Sequence, residues 1–391
     1  MLPVAPRWAG WIAAGLLAMI PAATPANNSL LSPEEYSRAL SLYHQLGDQS
    51  YKVREAASAE IVRYGRAVEP ILRDGLNNPN PEIRSRCRRL LPLAMHYHLE
   101  KDIAAFLADK EDKNQTMLAG WARFKELVGK DDLAKELFIS MHRFDTEFME
   151  TLDQKPADLS QKLSARCQEF MYQRNINRNS ITAAQLGLLL FAVQDPKVNI
   201  EPQAASFFSS GLFSLSYQPH GKELMRDNTA IRKLLIQFVT NSNNHMMMFN
   251  NMYLIANLEL KEGVDIAKRI IQSSERDPYT RAMAIGVLGK VGSKDNIPDL
   301  LPFLDKKDSV GSMMFNNTQI NTQMRDVALA ALVQLSGQKL SDYSFAYIKM
   351  FANANVNIFM SPGMLGFSDD AARDASIKKW KDGYEKEKGK K

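Results

Sequence analysis

One spacing recurs in this chain, and a stack of similar helices satisfies it easily. Arg54, Ala57 and Ile61 are separated as Arg84, Cys87 and Leu91 are, and the pattern returns far downstream as Arg281, Ala284, Leu288 and as Arg325, Ala328, Leu332. A cap-type residue stands four places before each arginine: Ser50, Asn80, Asp277 and Asn321. Such side chains accept hydrogen bonds from the unpaired N–H groups of a first helical turn. Pro81 and Pro278 follow their caps, where a missing N–H costs nothing. The small residue after each arginine lets a neighbouring helix approach, and the larger one four places on fills the core on the same face. Gly65 and Gly292 both stand eleven places after their arginine, predicting left-handed helix stops. A short second helix is predicted after each stop, through Val68, Ile71, Leu72, Leu76 and through Ile297, Leu300, Leu301, Leu304.

The turns Asn80-Pro81-x-x-Arg84 and Asp277-Pro278-x-x-Arg281, with the helices after them, resemble the HEAT-repeat family. The resemblance implies an all-α fold, an α-solenoid of antiparallel helix pairs. It also implies a structural role for Arg54, Arg84, Arg281 and Arg325, tying turns together through acidic or carbonyl groups. The segment from Val310 to Trp380 is similar to exported bacterial HEAT-repeat proteins with no assigned activity. Residues 30–110 and 227–340 carry the repeats, 111–226 is a middle helical region, and 341–391 is a wrap, a capping helix and a basic tail.

Residues 1–26 carry a different message. Arg7 precedes the uncharged run Trp8–Ile20, and Pro21–Ala26 supplies small residues and turn formers, the pattern of a secretory signal peptide. The run is short for a membrane span, and nothing later in the sequence is apolar enough for one. An exported, periplasmic or extracellular protein is expected. Cys87 and Cys167 are the only cysteines, too few for a stapled scaffold, and Cys87 occupies a small-residue repeat slot, which predicts a buried free thiol.

Charge excludes a class of partner. The chain is +5, and after Arg7 is set aside the remaining excess sits in Lys378–Lys391, with seven lysines and three acids. The body is balanced, whereas a nucleic-acid binder is expected to carry a basic body or stripe. No nucleic-acid partner is expected.

In chain order, helices are predicted from Ser32-Pro33-Glu34-Glu35 to Gly47, then through the repeats and on past Pro92 to Leu107. Further helices are expected over Met117–Val128, Asp132–Leu152, Leu159–Tyr172, Ala183–Val193, Pro202–Leu215, Ile231–Asn241, His245–Leu260 and Gly263–Gln272. Arg174–Ser180 and Gln218–Gly221 read as connecting loops. Nineteen residues separate Leu304 from Met324, more than a repeat turn needs. Val310–Phe315 and Thr318–Thr322 flank Asn316-Asn317, predicting a β-hairpin inserted near 306–322. Val310, Met313, Met314, Phe315 and Ile320 are its candidate partner contacts; the alternative is a flap packed on its own solenoid through Met313, Met314 and Phe315. Beyond Gly337, aromatic residues over Asp342–Phe367 read as a wrap on the last repeat, and Ser368-Asp369-Asp370 caps a closing helix carrying Ile377 and Trp380.

Catalytic signals are thin: the sequence has no phosphate-cradling glycine loop, G-x-S-x-G, H-E-x-x-H or C-x-x-C. His96 and His98 fall on nearly opposite helix faces, and His96 with Glu100 reads as a solvated pair. No cofactor is expected. The expected function is a non-enzymatic, exported scaffold that binds protein partners in the cell envelope. Two alternatives remain. One is a small-ligand protein or enzyme with a pocket in the middle helices. The other is a periplasmic copper protein using His245, Met246–Met248 and Met252, where thioethers and an imidazole suit copper.

Overall fold

The computed structural model describes residues 31–110, 118–154, 156–177, 181–241, 245–315, 317–348 and 358–389. The segment read as a signal, 1–26, lies outside them. The described fold is mostly helical, with one two-stranded antiparallel sheet. Two compact units meet in sequence at Lys101/Asp102.

The first unit contains α1 (Pro33–Gln45), α2 (Tyr51–Val62), α3 (Glu69–Asp74) and most of α4 (Pro81–Ala108). Ser32 and Glu35 cap α1 reciprocally: Glu35 N donates to Ser32 Oγ at 3.2 Å and Ser32 N to Glu35 Oε2 at 2.8 Å. Leu42, Leu46, Ala57, Ile61, Leu72 and Cys87 form its core. Gly65 takes φ +60°, the left-handed stop predicted for it. Gly75 lies against Cys87, where an added Cβ would stand 2.4 Å from Sγ. Helix α4 runs through Pro92 unbroken.

The second unit begins in the last turns of α4 and continues through α5 (Trp121–Val128), α6 (Asp132–Phe144), α7 (Thr146–Gln154), α8 (Pro156–Asn177) and α9 (Ala183–Ala192). The predicted helix 117–128 starts only at Trp121, after the left-handed Gly120 at φ +83°; Met117 lies outside the described residues. The single helix predicted over Asp132–Leu152 is broken at Asp145, at φ −150° and ψ 80°. Two local bonds favour the break: Thr146 Oγ1 donates to His142 O at 2.7 Å, and Asp145 Oδ1 accepts from Phe148 N at 3.0 Å. The predicted loop at Arg174 is helical through Asn177, and 178–180 lie outside the described residues.

Next come α10 (Pro202–Ser206) and α11 (Leu212–Ser216), joined by a π-helical turn over Phe207–Gly211, so the helix predicted for 202–215 is present but locally widened. The predicted separator at Gln218–Gly221 instead opens α12 (Pro219–Asp227). Pro219 is its first residue, and Gly221 sits so close to Leu215 O that a Cβ would stand 2.4 Å away.

Then follow α13 (Thr229–Asn241), α14 (His245–Leu258), α15 (Val264–Gln272), α16 (Pro278–Val291) and α17 (Ile297–Leu300). Helix α16 packs against α14 and α15 and is buried almost all round. Gly292 ends it at φ −75°, ψ −176°, in extended rather than left-handed backbone. Space, not handedness, requires glycine there, since a Cβ would meet Leu288 O at 2.5 Å.

Strands β1 (Ser309–Phe315) and β2 (Thr318–Gln323) form the hairpin, with Asn317 at φ +60° in its turn; Asn316 lies outside the described residues. Then come α18 (Met324–Leu335) and α19 (Asp370–Lys388), the latter capped by Asp369, whose Oδ1 accepts from Ala372 N at 2.7 Å. Between them, the short turn Ile358–Met360 lies on α16, where Phe359 O occupies the space beside Gly286.

No helix among the described residues is long and apolar enough to cross a membrane.

Candidate functional site

The four repeat arginines do different work. Arg54 Nη1 donates to Asp48 O and Gln49 O at 2.7 and 2.9 Å. Arg84 Nη1 donates to Asn78 O and Pro79 O at 2.6 and 2.8 Å, at the same sequence offsets. Arg281 Nε reaches Ile271 O at 3.2 Å, and its guanidinium lies 5.3 Å from the Phe303 ring centre. Arg325 turns to other side chains: Gln323 Oε1 at 2.6 Å, Asp374 at 3.0 Å and Asp370 at 3.3 Å. Ala57, Ile61, Cys87, Ala284, Leu288, Ala328 and Leu332 are buried, while Leu91 is half-buried beside the fully enclosed Leu90.

Two of the four predicted caps depart from expectation. Asn80 Oδ1 accepts from Glu82 N, and Asp277 Oδ1 from Thr280 N. Ser50 makes no side-chain cap bond; Asp48 Oδ1 instead accepts from Ser50 N at 2.7 Å. Asn321 belongs to β2 opposite Ser312, and α18 is capped by Gln323 with Asp326.

The hairpin has a sealed root and an open tip. Val310, Ile320 and Thr322 are buried, and Thr322 Oγ1 donates to Gly363 O at 2.7 Å. Beneath it, Arg373 Nη2 donates to Asn321 O at 2.8 Å and Arg373 Nε to Asp326 Oδ1 at 2.7 Å, with Asp370 also on the guanidinium. Asp326 Oδ2 takes Gln323 N at 2.8 Å. Burial pushes the Asp326 carboxyl up to about 6 against the pull of Arg373. Nearer the turn Met314 is 66% exposed, and Met313, opposite the buried Ile320, is 38% exposed. The flap reading is therefore corrected in its residues: Val310, Ile320 and Thr322 pack, and the two methionines do not. The Phe315 side chain lies outside what is described.

A second feature is a cavity of about 170 Å³ between α13, α14 and α15. Helix α14 lines it with Met248, Asn251, Met252 and Ile255, and α15 and the residue after it with Ile266, Arg269, Ile270 and Ser273. Both sets follow the i, i+3, i+4, i+7 spacing of one helix face. Val239, Thr240 and Arg276 complete it. It lies outside the middle helices, where a pocket was expected and where a smaller cavity of about 90 Å³ is lined by Phe144, Arg166, Phe170, Gln185 and Leu189. Met252 is buried and Met248 half-buried on the lining of the larger cavity, and they are its only thioethers. The side chains of His245 and Met246 lie outside what is described. Among the described residues, no three His, Cys, Asp or Glu side chains gather as a metal site.

Both cysteines are buried and free. Burial raises the Cys87 thiol to about 11 and the Cys167 thiol still further, so neither has nucleophile character.

Compared with known proteins, the chain matches no family model, no curated sequence and no solved structure.

Proposed function

We propose that the chain is an exported, non-enzymatic scaffold with HEAT-like α-solenoid architecture, and that it holds a protein partner in the cell envelope through the tip of its β1–β2 hairpin. The observation that carries this reading is the contrast along the hairpin. Its root is fixed by the buried Asp326–Arg373 pair and by Thr322 on Gly363, while Met314 stands in solvent and Met313 is partly exposed beside it. A rigid base removes much of the ordering cost of association. Exposed methionines offer an adaptable apolar contact to a partner of matching character. The duplicated Arg54 and Arg84 turns support the solenoid part, because a repeat that closes its turns in the same way stacks in the same way.

The test places a photo-crosslinker at position 314 of the mature protein in its native envelope. A Met313→Ser variant carrying the same crosslinker serves as comparator, with unchanged melting required of it. One discrete adduct, competed by unlabelled wild-type protein and weakened in the Met313→Ser background, supports the reading. Diffuse labelling, the same with and without Met313→Ser, overturns it.

A further inference from the structure

We propose that the α13–α14–α15 cavity binds a small α-acylamino or α-hydroxy carboxylate with a branched or aromatic apolar side chain. This stands apart from the hairpin reading and survives its failure. Three observations meet at one place.

The first is size and lining. Val239, Met252, Ile255 and Ile270 are buried around a space of about 170 Å³, with Met248 and Ile266 half-buried beside them. A dry apolar cavity of roughly 150 Å³ takes a benzene-sized guest.

The second is an orphan acceptor. Asn251 lies on this lining, is 3% exposed, and its Oδ1 has no hydrogen-bond partner. A buried carbonyl without a donor is costly, and native folds rarely keep one without a use. It asks for an N–H or O–H from the guest.

The third is charge. Arg269 and Arg276 line the same cavity, exposed and half-buried respectively, and neither forms an ion pair or hydrogen bond with a described residue. Guanidinium forks match a planar carboxylate. Ser273 and Thr240 add hydroxyls beside them. A carboxylate with an N–H or O–H on the adjacent carbon and an apolar side chain satisfies all three features together.

The experiment is isothermal titration of the full-length folded protein with N-acetyl-L-leucine. N-acetyl-L-leucine amide removes the anion, and 4-methylpentanoate removes the donor. Saturable binding of the acid is expected, weaker by roughly tenfold or more for the amide and for the Arg269→Gln/Arg276→Gln protein. The donor-less acid is expected to bind several-fold more weakly. Asn251→Leu, which fills the space and removes the orphan acceptor, is expected to abolish binding while raising the melting temperature. No saturation by the acid on protein that melts normally overturns the proposal. Equal binding of acid and amide, or binding untouched by the arginine substitutions, overturns it as well.

Discussion

Arg373 Nε lies 2.7 Å from Asp326 Oδ1, and both side chains are sealed from solvent. The pair joins α19 to the first turn of α18, and the same guanidinium holds Asn321 O of β2. A buried charge left alone costs far more than the pair contributes, so Arg373→Met is expected to destabilise the protein by about 3–5 kcal/mol. The double variant Asp326→Leu/Arg373→Met is expected to recover most of that loss. Urea unfolding of the two proteins checks this, and an additive double variant contradicts it.

The same carboxyl sets a pH dependence. Its folded value of about 6 stands above the unfolded 3.8 because burial disfavours the charged form. The contribution of this group to stability is therefore full below about pH 4 and is lost as pH rises through about 6. The shift corresponds to about 3 kcal/mol. The stability of wild type minus that of Asp326→Asn is expected to decline across this window. A flat difference between pH 4 and 7 would show that the carboxyl titrates normally.

How far this arrangement could be read beforehand depends on how local its causes are. The capping box at Ser32, the prolines opening α4 and α16, and the left-handed Gly65 act within a turn or two, and their residues announce them. The hairpin was legible because a nineteen-residue gap and an Asn-Asn turn lie within one stretch. Asn321 misled because β2 extends to Gln323 and moves the helix start beyond it. Asp145 breaks a helix whose apolar period runs on undisturbed, through bonds from its own and the next side chain. The Asp326–Arg373 pair has no sequence signal at all, as its partners are brought together by the fold. The cavity lies between. The facing stripes of α14 and α15 are regular, but only the structure places Asn251, Arg269 and Arg276 around one space.

Arg54 and Arg84 offer a direct test of the repeat. Each satisfies two turn carbonyls through one guanidinium nitrogen. Arg54→Ala and Arg84→Ala are each expected to cost about 1–3 kcal/mol in denaturant unfolding. A silent Arg84→Ala would remove the turn-closing role.

Gly286 faces the backbone of the segment that crosses α16. A Cβ there would stand 2.2 Å from Phe359 O, and backbone cannot swing aside as a side-chain end can. Gly286→Ala is expected to cost about 1–3 kcal/mol by overpacking. Faster hydrogen exchange over residues 358–367 would locate the damage. Unchanged exchange there would mean that the contact is slack.

The hairpin itself separates structure from function along a few residues. Ile320 is buried in mid-ladder, opposite Met313, while Met314 pairs with Gln319 one rung nearer the turn and is mostly exposed. Truncating a buried branched side chain removes both its transfer energy and its packing, so Ile320→Ala is expected to cost about 2–5 kcal/mol. Met314→Lys touches nothing that holds the fold and is expected to change stability by less than about 0.5 kcal/mol. If the tip binds a partner, the ranking reverses for association. Met314→Lys then weakens binding on a fully stable protein, whereas Ile320→Ala acts only through lost structure. Melting and crosslinking yield measured on the same two variants distinguish a contact surface from a passive flap.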